Sequence, residues 1–299
     1  MRSILVTGGN GQLGTALRRC TLPKGWQVVA FDRSRLDLAD TAAIAAAVDA
    51  GHCESPWAAV INAAAFTAVD RAEEEVVAAW AINALAPAAF GAACARAGIP
   101  LVQVSTDYVF DGNKREAWEI DDPVGPLGVY GASKLGGELA VRTSGALHAI
   151  VRTGWVVSAH GRNFVTTMLR IAAEKGEVRV VDDQRGSPTS AADLAQALIT
   201  IATRLAQDRA APGGTVHFSN VGAVNWAEFA SEIFRASAER GGPSAVVEPI
   251  KSEDHPTVAR RPTNSLLAHS AIIASYGIVP RSWQEALDGI LDELIGRKA

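Results

Sequence analysis

Tyr130 and Lys134 stand four residues apart in Tyr130-Gly131-Ala132-Ser133-Lys134, and on a helix that spacing puts both side chains on one face. A free phenol is a weak acid at neutral pH, with a pKa of about 10. A lysine ammonium beside it favours the phenolate and brings the group toward the working range, so the pair can act as a proton donor. Taken alone, the pattern also fits a solvated surface pair. Its context sets it apart. Thr106 closes the apolar run in Val104-Ser105-Thr106-Asp107-Tyr108, where a strand would leave the ligand-binding edge of an open α/β sheet, and its hydroxyl can donate to a carbonyl oxygen.

A second constellation lies near the start of the chain. The apolar run at 3–7 leads directly into Gly8-Gly9-Asn10-Gly11-Gln12-Leu13-Gly14. Leu13, Ala16, Leu17 and Cys20 then recur at i, i+3, i+4 and i+7, the stripe of an amphipathic helix. In such a unit Gly8 makes the tight turn, Gly11 lets the backbone approach a pyrophosphate, and Gly14 lets the helix pack close to the sheet. Gln12 and Leu13 open the helix, whose first N–H groups point toward an anion. The spacing is Gly-x-x-Gly-x-x-Gly, and its place between a first strand and a first helix points to a dinucleotide rather than a plain turn. The next strand ends at Phe31-Asp32-Arg33. The acid suits the adenosine ribose hydroxyls of NADH and the arginine suits the 2′-phosphate of NADPH, so both cofactors stay open. Asp37 is placed either to accept from an adenine amino group or to cap a helix.

The elements that must hold these groups follow from hydrophobic periodicity. Strands are predicted at 3–7, 27–31, 58–62 and 101–105, alternating with a helix at 41–50 that Asp40 caps and an alanine-rich helical stretch around 73–96. This alternation predicts a doubly wound parallel sheet with helices on both faces. Beyond residue 149 the pattern is mixed: strands at 150–157, 177–181 and 216–219, helices at 164–174, 192–205, 226–238 and 283–295. The expected organisation is a nucleotide-binding domain over 1–149 and a smaller α/β lobe over 150–299, with segments interleaved back into the first.

Hydrophobic residues make up 48 % of the 299 and charged ones 20 %, enough for a sizeable core. A net charge of -4 gives no global pull toward nucleic acid or an anionic membrane, so phosphate binding must be local. Cys20, Cys53 and Cys94 are odd in number and scattered, which argues against disulfides and a cysteine-based metal site. No apolar run reads as a membrane span or a signal-peptide core, and a cytoplasmic location is expected.

With these motifs in order, the chain resembles the extended short-chain dehydrogenase/reductase superfamily and, within it, the dTDP-4-dehydrorhamnose reductase (RmlD-type) family over nearly its whole length. The matching stretches are 8–14, 62–70, 105–112, 129–134, 152–156, 183–189 and 260–265. The resemblance implies a Rossmann-like fold with a substrate-binding lobe and reduction of the C4 keto group of a nucleotide-linked 6-deoxysugar by NADPH or NADH. It implies that Thr106, Tyr130 and Lys134 are the catalytic trio, and that Ala63, Ala64, Ala65, Asp37 and Leu38 lie along the cofactor. Asp107, Tyr108 and Trp155 would lie at the sugar, and Arg260, Arg261 and Asn264 at the nucleotide-diphosphate end. Away from the resemblance, Trp155 reads equally as a core residue and the arginine pair as a solvated turn.

Three rivals share parts of the pattern. Sugar-nucleotide dehydratases carry Glu after the Thr-Asp pair, where this chain has Tyr108. An epimerase retains the trio, and so does a non-catalytic subunit resembling the methionine adenosyltransferase β-subunit. Some family members hold magnesium at a dimer interface through two glutamates. Ala16 and Ala192 stand there in this chain, and a methyl group cannot ligate a hard cation, so no metal is expected. The partner is a nucleotide-diphosphate sugar, and the chain is a monomer or a homodimer.

Overall fold

The computed structural model describes residues 1–53 and 55–297; the last two residues of the expected 150–299 lobe lie outside them. Strand β1 (Arg2–Thr7) is buried on both faces by Ile4, Leu5 and Val6, which demands cover on both sides. Alternation supplies it through α1 (Gln12–Arg19), β2 (Trp26–Phe31), α2 (Thr41–Ala50) and β3 (Ala59–Asn62). Asp40 caps α2 by accepting from the Ala43 N–H at 2.9 Å, as its position predicts.

The alanine-rich stretch is α3 (Val69–Glu74), α4 (Val76–Trp80), a π-helical turn at Ala81–Leu85 and α5 (Ala86–Ala97). Here the sequence reading needs a correction. Val76–Ala97 is a 22-residue helical run with mean hydropathy 1.6, long and apolar enough to cross a membrane by length and composition. Alanine explains the value, since it is mildly apolar and fills tight helix contacts. Ala86, Phe90, Ala93 and Cys94 pack into the core layer that also holds Ile44 and Val48 of α2.

Next come β4 (Leu101–Thr106), α6 (Val129–Thr143) and β5 (His148–Thr153). The single strand expected at 150–157 is two. β5 ends at Thr153, and β6 (Val156–Val157) starts after Gly154-Trp155, where Trp155 has φ +50°. A bulky residue in left-handed space breaks the extended run.

The rest of the chain forms α7 (Phe164–Glu174), β7 (Glu177–Val181), β8 (Arg185–Gly186), β9 (Thr189–Ser190), α8 (Ala191–Gln207), β10 (Gly214–His217), β11 (Val224–Asn225), α9 (Trp226–Ala238), β12 (Val246–Ile250), α10 (Ser270–Tyr276) and α11 (Trp283–Leu294). β12 and α10 were not legible in the sequence. β12 contains Pro249 and is mostly exposed, so it lacks an apolar period, and its parallel pairing with β7 defines it.

Six parallel strands form the main sheet in the order β10-β5-β4-β3-β1-β2. β10, from the second half, completes this sheet, and α8 packs on it beside α1. The chain runs outward from β1 in both directions, so a crevice opens at the carboxyl ends of β1 and β3, where open α/β sheets bind ligands. A separate core of α7, α9 and α11 residues, including Phe229, Ile233 and Leu287, supports the smaller lobe.

Candidate active site

The glycine turn lies at that crevice. Gly8 has φ +73°, a conformation that suits glycine, and a Cβ on Gly14 would overlap the Gly8 carbonyl oxygen. Helix α1 begins after Gly11 with no side-chain cap, which leaves its N-terminal donors for an anion. Thr7 stitches the two strand ends together. Its hydroxyl donates to Asn62 Oδ1 at 2.6 Å and accepts from the N–H groups of Ala63 and Ala64, each at 3.1 Å. A cavity of about 450 Å³ opens above, lined by Gly8, Gly11, Gln12, Leu13, Ala63, Ala64 and Ala65, and reaching Thr106, Asp107, Tyr108, Tyr130, Lys134 and Trp155. Uncapped helix donors, small residues and an open cavity fit a dinucleotide.

An adjoining cleft of about 390 Å³ is lined by Asp32, Arg33, Asp37 and Leu38, together with Arg71 and Leu36, which the sequence reading missed. Asp32 Oδ1 accepts from Ser34 Oγ at 2.6 Å and from two backbone N–H groups, and its Oδ2 accepts from Asn10 at 2.9 Å. The Ser34 hydroxyl and the other donors hold its carboxyl below the usual range. Asp32 thus serves the turn first, while Arg33 is exposed at the rim. Asp37 accepts from the Ala39 N–H at 3.1 Å.

Tyr130 and Lys134 project from one face of α6 into the larger cavity. A Cβ on Gly131 would overlap the Tyr108 carbonyl oxygen, so this helix seats tightly against the turn after β4. Glu73 on α3 accepts from the Val129 N–H at 2.8 Å and anchors the helix start beside Tyr130. Burial pushes the Tyr130 phenol up to about 12. Burial also lowers Lys134 to about 8 against the opposing pull of Glu138, and its Nζ donates to the Val104 carbonyl at 2.7 Å. In the protein alone burial therefore raises the phenol's pKa, where the sequence led to an expectation of lowering, while Lys134 Nζ is held by the Val104 carbonyl. Behind Lys134, Glu138 accepts from Ser105 Oγ at 2.6 Å and from Arg152 at 2.8 and 2.9 Å, all buried. Glu138 sits one turn beyond Lys134, a spacing that could have flagged it.

Trp155 closes one wall. Its indole stacks on Trp226 with centroids 3.4 Å apart and planes 9° from parallel, and a Cβ on Gly186 would reach within 2.7 Å of the ring. Left-handed backbone costs a bulky residue about 1–3 kcal/mol, a strain found mostly where function holds it. The other three expected residues line neither cavity. Arg260 is exposed. Arg261 is paired with Asp70 at 2.6 Å. The Asn264 amide donates to the carbonyls of Lys114 and Glu116, each at 2.8 Å, and accepts from the Leu266 N–H. Asn264 holds a loop together, using most of the hydrogen bonds its side chain can make.

A glycine turn on a doubly wound sheet, with Thr, Tyr and Lys at its carboxyl edge, defines a Rossmann-type oxidoreductase. The family described as the RmlD substrate binding domain matches residues 1–295, and the chain belongs to that family. It is similar to a dTDP-4-dehydrorhamnose reductase of Sinorhizobium fredii, 39 % identical over 95 % of this chain and 94 % of the relative. A crystal structure of a dTDP-4-dehydrorhamnose reductase from Clostridium acetobutylicum is 36 % identical with a TM-score of 0.89, covering 98 % and 99 % of the two chains. Another from Bacillus anthracis, in complex with NADP, is 34 % identical with a TM-score of 0.88, covering 98 % and 100 %.

Ala16 and Ala192, where the resemblance implied magnesium-ligating glutamates in some relatives, line a further cleft between α1, α8 and α11. The nearby Glu293 carboxylate is paired with Arg19 at 2.6 Å and lies 3.1 Å from His160. No group of three or more His, Cys, Asp or Glu able to hold a metal occurs among the described residues. These residues do not fit the ion. EDTA is expected to leave both activity and sedimentation unchanged; a dimer that dissociates on chelation would show that a metal is held elsewhere.

Proposed function

We propose that this protein reduces the C4 keto group of dTDP-4-dehydro-L-rhamnose to the alcohol with NADPH or NADH, in the cytoplasm, as a monomer or homodimer. The observation that carries the reading is one cavity running from an uncapped helix start to Thr106, Tyr130 and Lys134, in a chain of this family. On this reading residues 1–149 mainly bind cofactor and 150–299 mainly bind the sugar, with β10 and α8 returned to the first domain.

A nicotinamide cofactor held at the glycine turn of 8–14 and the strand end at 63–65 would supply hydride to the ketone carbon. Tyr130 donates its proton to the oxygen as negative charge develops there, and Thr106 lies beside that proton. Lys134 carries positive charge below about pH 8 and stabilises the phenolate left behind. Trp155 presents an apolar face to the sugar ring. On the family's pattern Arg260 and Arg261 would meet the nucleotide-diphosphate end, outside the lining of either cavity. Oxidation of NADPH by dTDP-4-dehydro-L-rhamnose, with the product's stereochemistry determined, tests the reading. Turnover only with a different nucleotide-linked keto sugar would change the assigned substrate, and no turnover with any would favour the non-catalytic rival.

Arg33 stands exposed at the adenosine cleft while Asp32 is engaged by its own turn. Replacing Arg33 with Ala is expected to weaken NADPH by about 1.5–3 kcal/mol, the worth of a hydrogen bond to a charged group, and to affect NADH less. Equal losses in a binding titration would remove Arg33 from the phosphate.

A further inference from the structure

Counting protons around Thr106 leads to a residue outside the trio. A hydroxyl has one proton to give and two lone pairs, and an ionised carboxylate only accepts. Thr106 Oγ1 donates to Asp107 Oδ1 at 2.9 Å and accepts from the Tyr108 N–H at 3.2 Å. Tyr130 lines the same cavity. With Asp107 ionised, Thr106 has its only proton committed to the carboxylate and none to offer a ketone.

We propose that Asp107 is a positioning residue that enters the reduction as the neutral acid, donating to Thr106 Oγ1 and so turning the Thr106 hydroxyl proton toward the substrate oxygen. This rests on the reductase reading above. After hydride reaches carbon, Tyr130 gives its proton to the oxygen, and the phenolate takes one back from solvent once product leaves; Asp107 keeps its proton throughout and only holds Thr106 Oγ1.

The surroundings suit a neutral acid. Asp107 is 2 % exposed, and its Oδ2 is buried with no partner at hydrogen-bonding geometry, which is costlier for a carboxylate than for a carbonyl oxygen. The carboxyl lies close against the Gly154 backbone, where a Cβ would fall 2.7 Å from its Cγ, so only glycine leaves room for it. The titratable and charged groups around it are the phenols of Tyr108 and Tyr130 and the Arg261 guanidinium; Arg261 is paired with Asp70 and acts on Tyr108. Burial raises Asp107 to about 6, against the hydrogen bond from Thr106. The neutral form is complete below that value and is lost as the pH rises through it.

The test is the pH profile of kcat at saturating substrate and cofactor for the wild type and Asp107→Asn, whose amide donates at every pH. The wild type is expected to lose rate above the Asp107 pKa, about tenfold per pH unit for one ionisation. In Asp107→Asn that limb should vanish, leaving the fall that begins where Lys134 deprotonates near 8. A wild-type limb retained in the variant, as for a merely structural residue, would overturn the proposal. If the variant does not fold, infrared titration of the wild type decides. A buried carboxylic acid band that disappears on raising the pH through about 6 supports the assignment, and its absence overturns it. The infrared arm needs no turnover, so a wrong substrate and a wrong Asp107 role give different results.

Discussion

Replacing Tyr130 with Phe is expected to lower kcat by about 10²–10⁴, the usual worth of a positioned general acid, while NADPH affinity stays within about twofold because the ring that lines the cavity remains. Tyr130 meets Tyr108 edge to face, with centroids 5.5 Å apart and planes at 75°. Removing one oxygen leaves that ring contact in place, so a loss in kcat reports the proton rather than the packing. Burial holds the phenol near 12 in the protein alone, which keeps the proton on Tyr130 until negative charge develops on the substrate oxygen. Steady-state kinetics with a cofactor titration separates the two effects. A Phe variant with turnover close to that of the wild type would transfer the donor role to another group in the cavity.

The largest expected effect on stability lies one layer below. Glu138 and Arg152 are 0 % and 1 % exposed, and they pair at 2.8 Å, with Ser105 and Arg142 completing the carboxylate's bonds. Arg152 also lies 5.0 Å from the Phe110 ring, which stacks on Trp118. His217, pushed down to about 3 by burial and by Arg152, stays neutral beside it and adds no second positive charge. Substituting Glu138 with Ala strands the guanidinium, and breaking a buried pair in this way costs about 3–5 kcal/mol. The same change removes the carboxylate that holds Lys134 up, so any folded variant should lose Lys134's charge at a lower pH. Urea denaturation gives the first quantity and the basic limb of kcat gives the second. A loss below about 1 kcal/mol, the scale of an exposed pair, would mean that water reaches Arg152 and shields it.

What the sequence by itself determined is what contiguous windows encode. The turn from Gly8 to Gly14 is one such window, since a tight turn, a close approach and a helix start all require glycine within seven residues. The alternation of apolar strands and amphipathic helices is another, and it specified a parallel sheet because both faces of β1 need cover. The four-residue step from Tyr130 to Lys134 placed both on one helical face. Tertiary structure decided whatever depends on partners far along the chain. Trp155 stacks on Trp226, Arg261 pairs with Asp70, and Asn264 ties the loop at Lys114, each a contact across a long stretch of sequence. β12 exists only through its pairing with β7. The ionisation of the site belongs to this second group, because a pKa follows burial and neighbours. A Lys four residues from a Tyr shares its helical face, yet Lys134 donates to Val104 while burial raises the phenol. The residue types specify which protons can move; the packing of β4, β5 and α6 around Thr106 sets which way each one points.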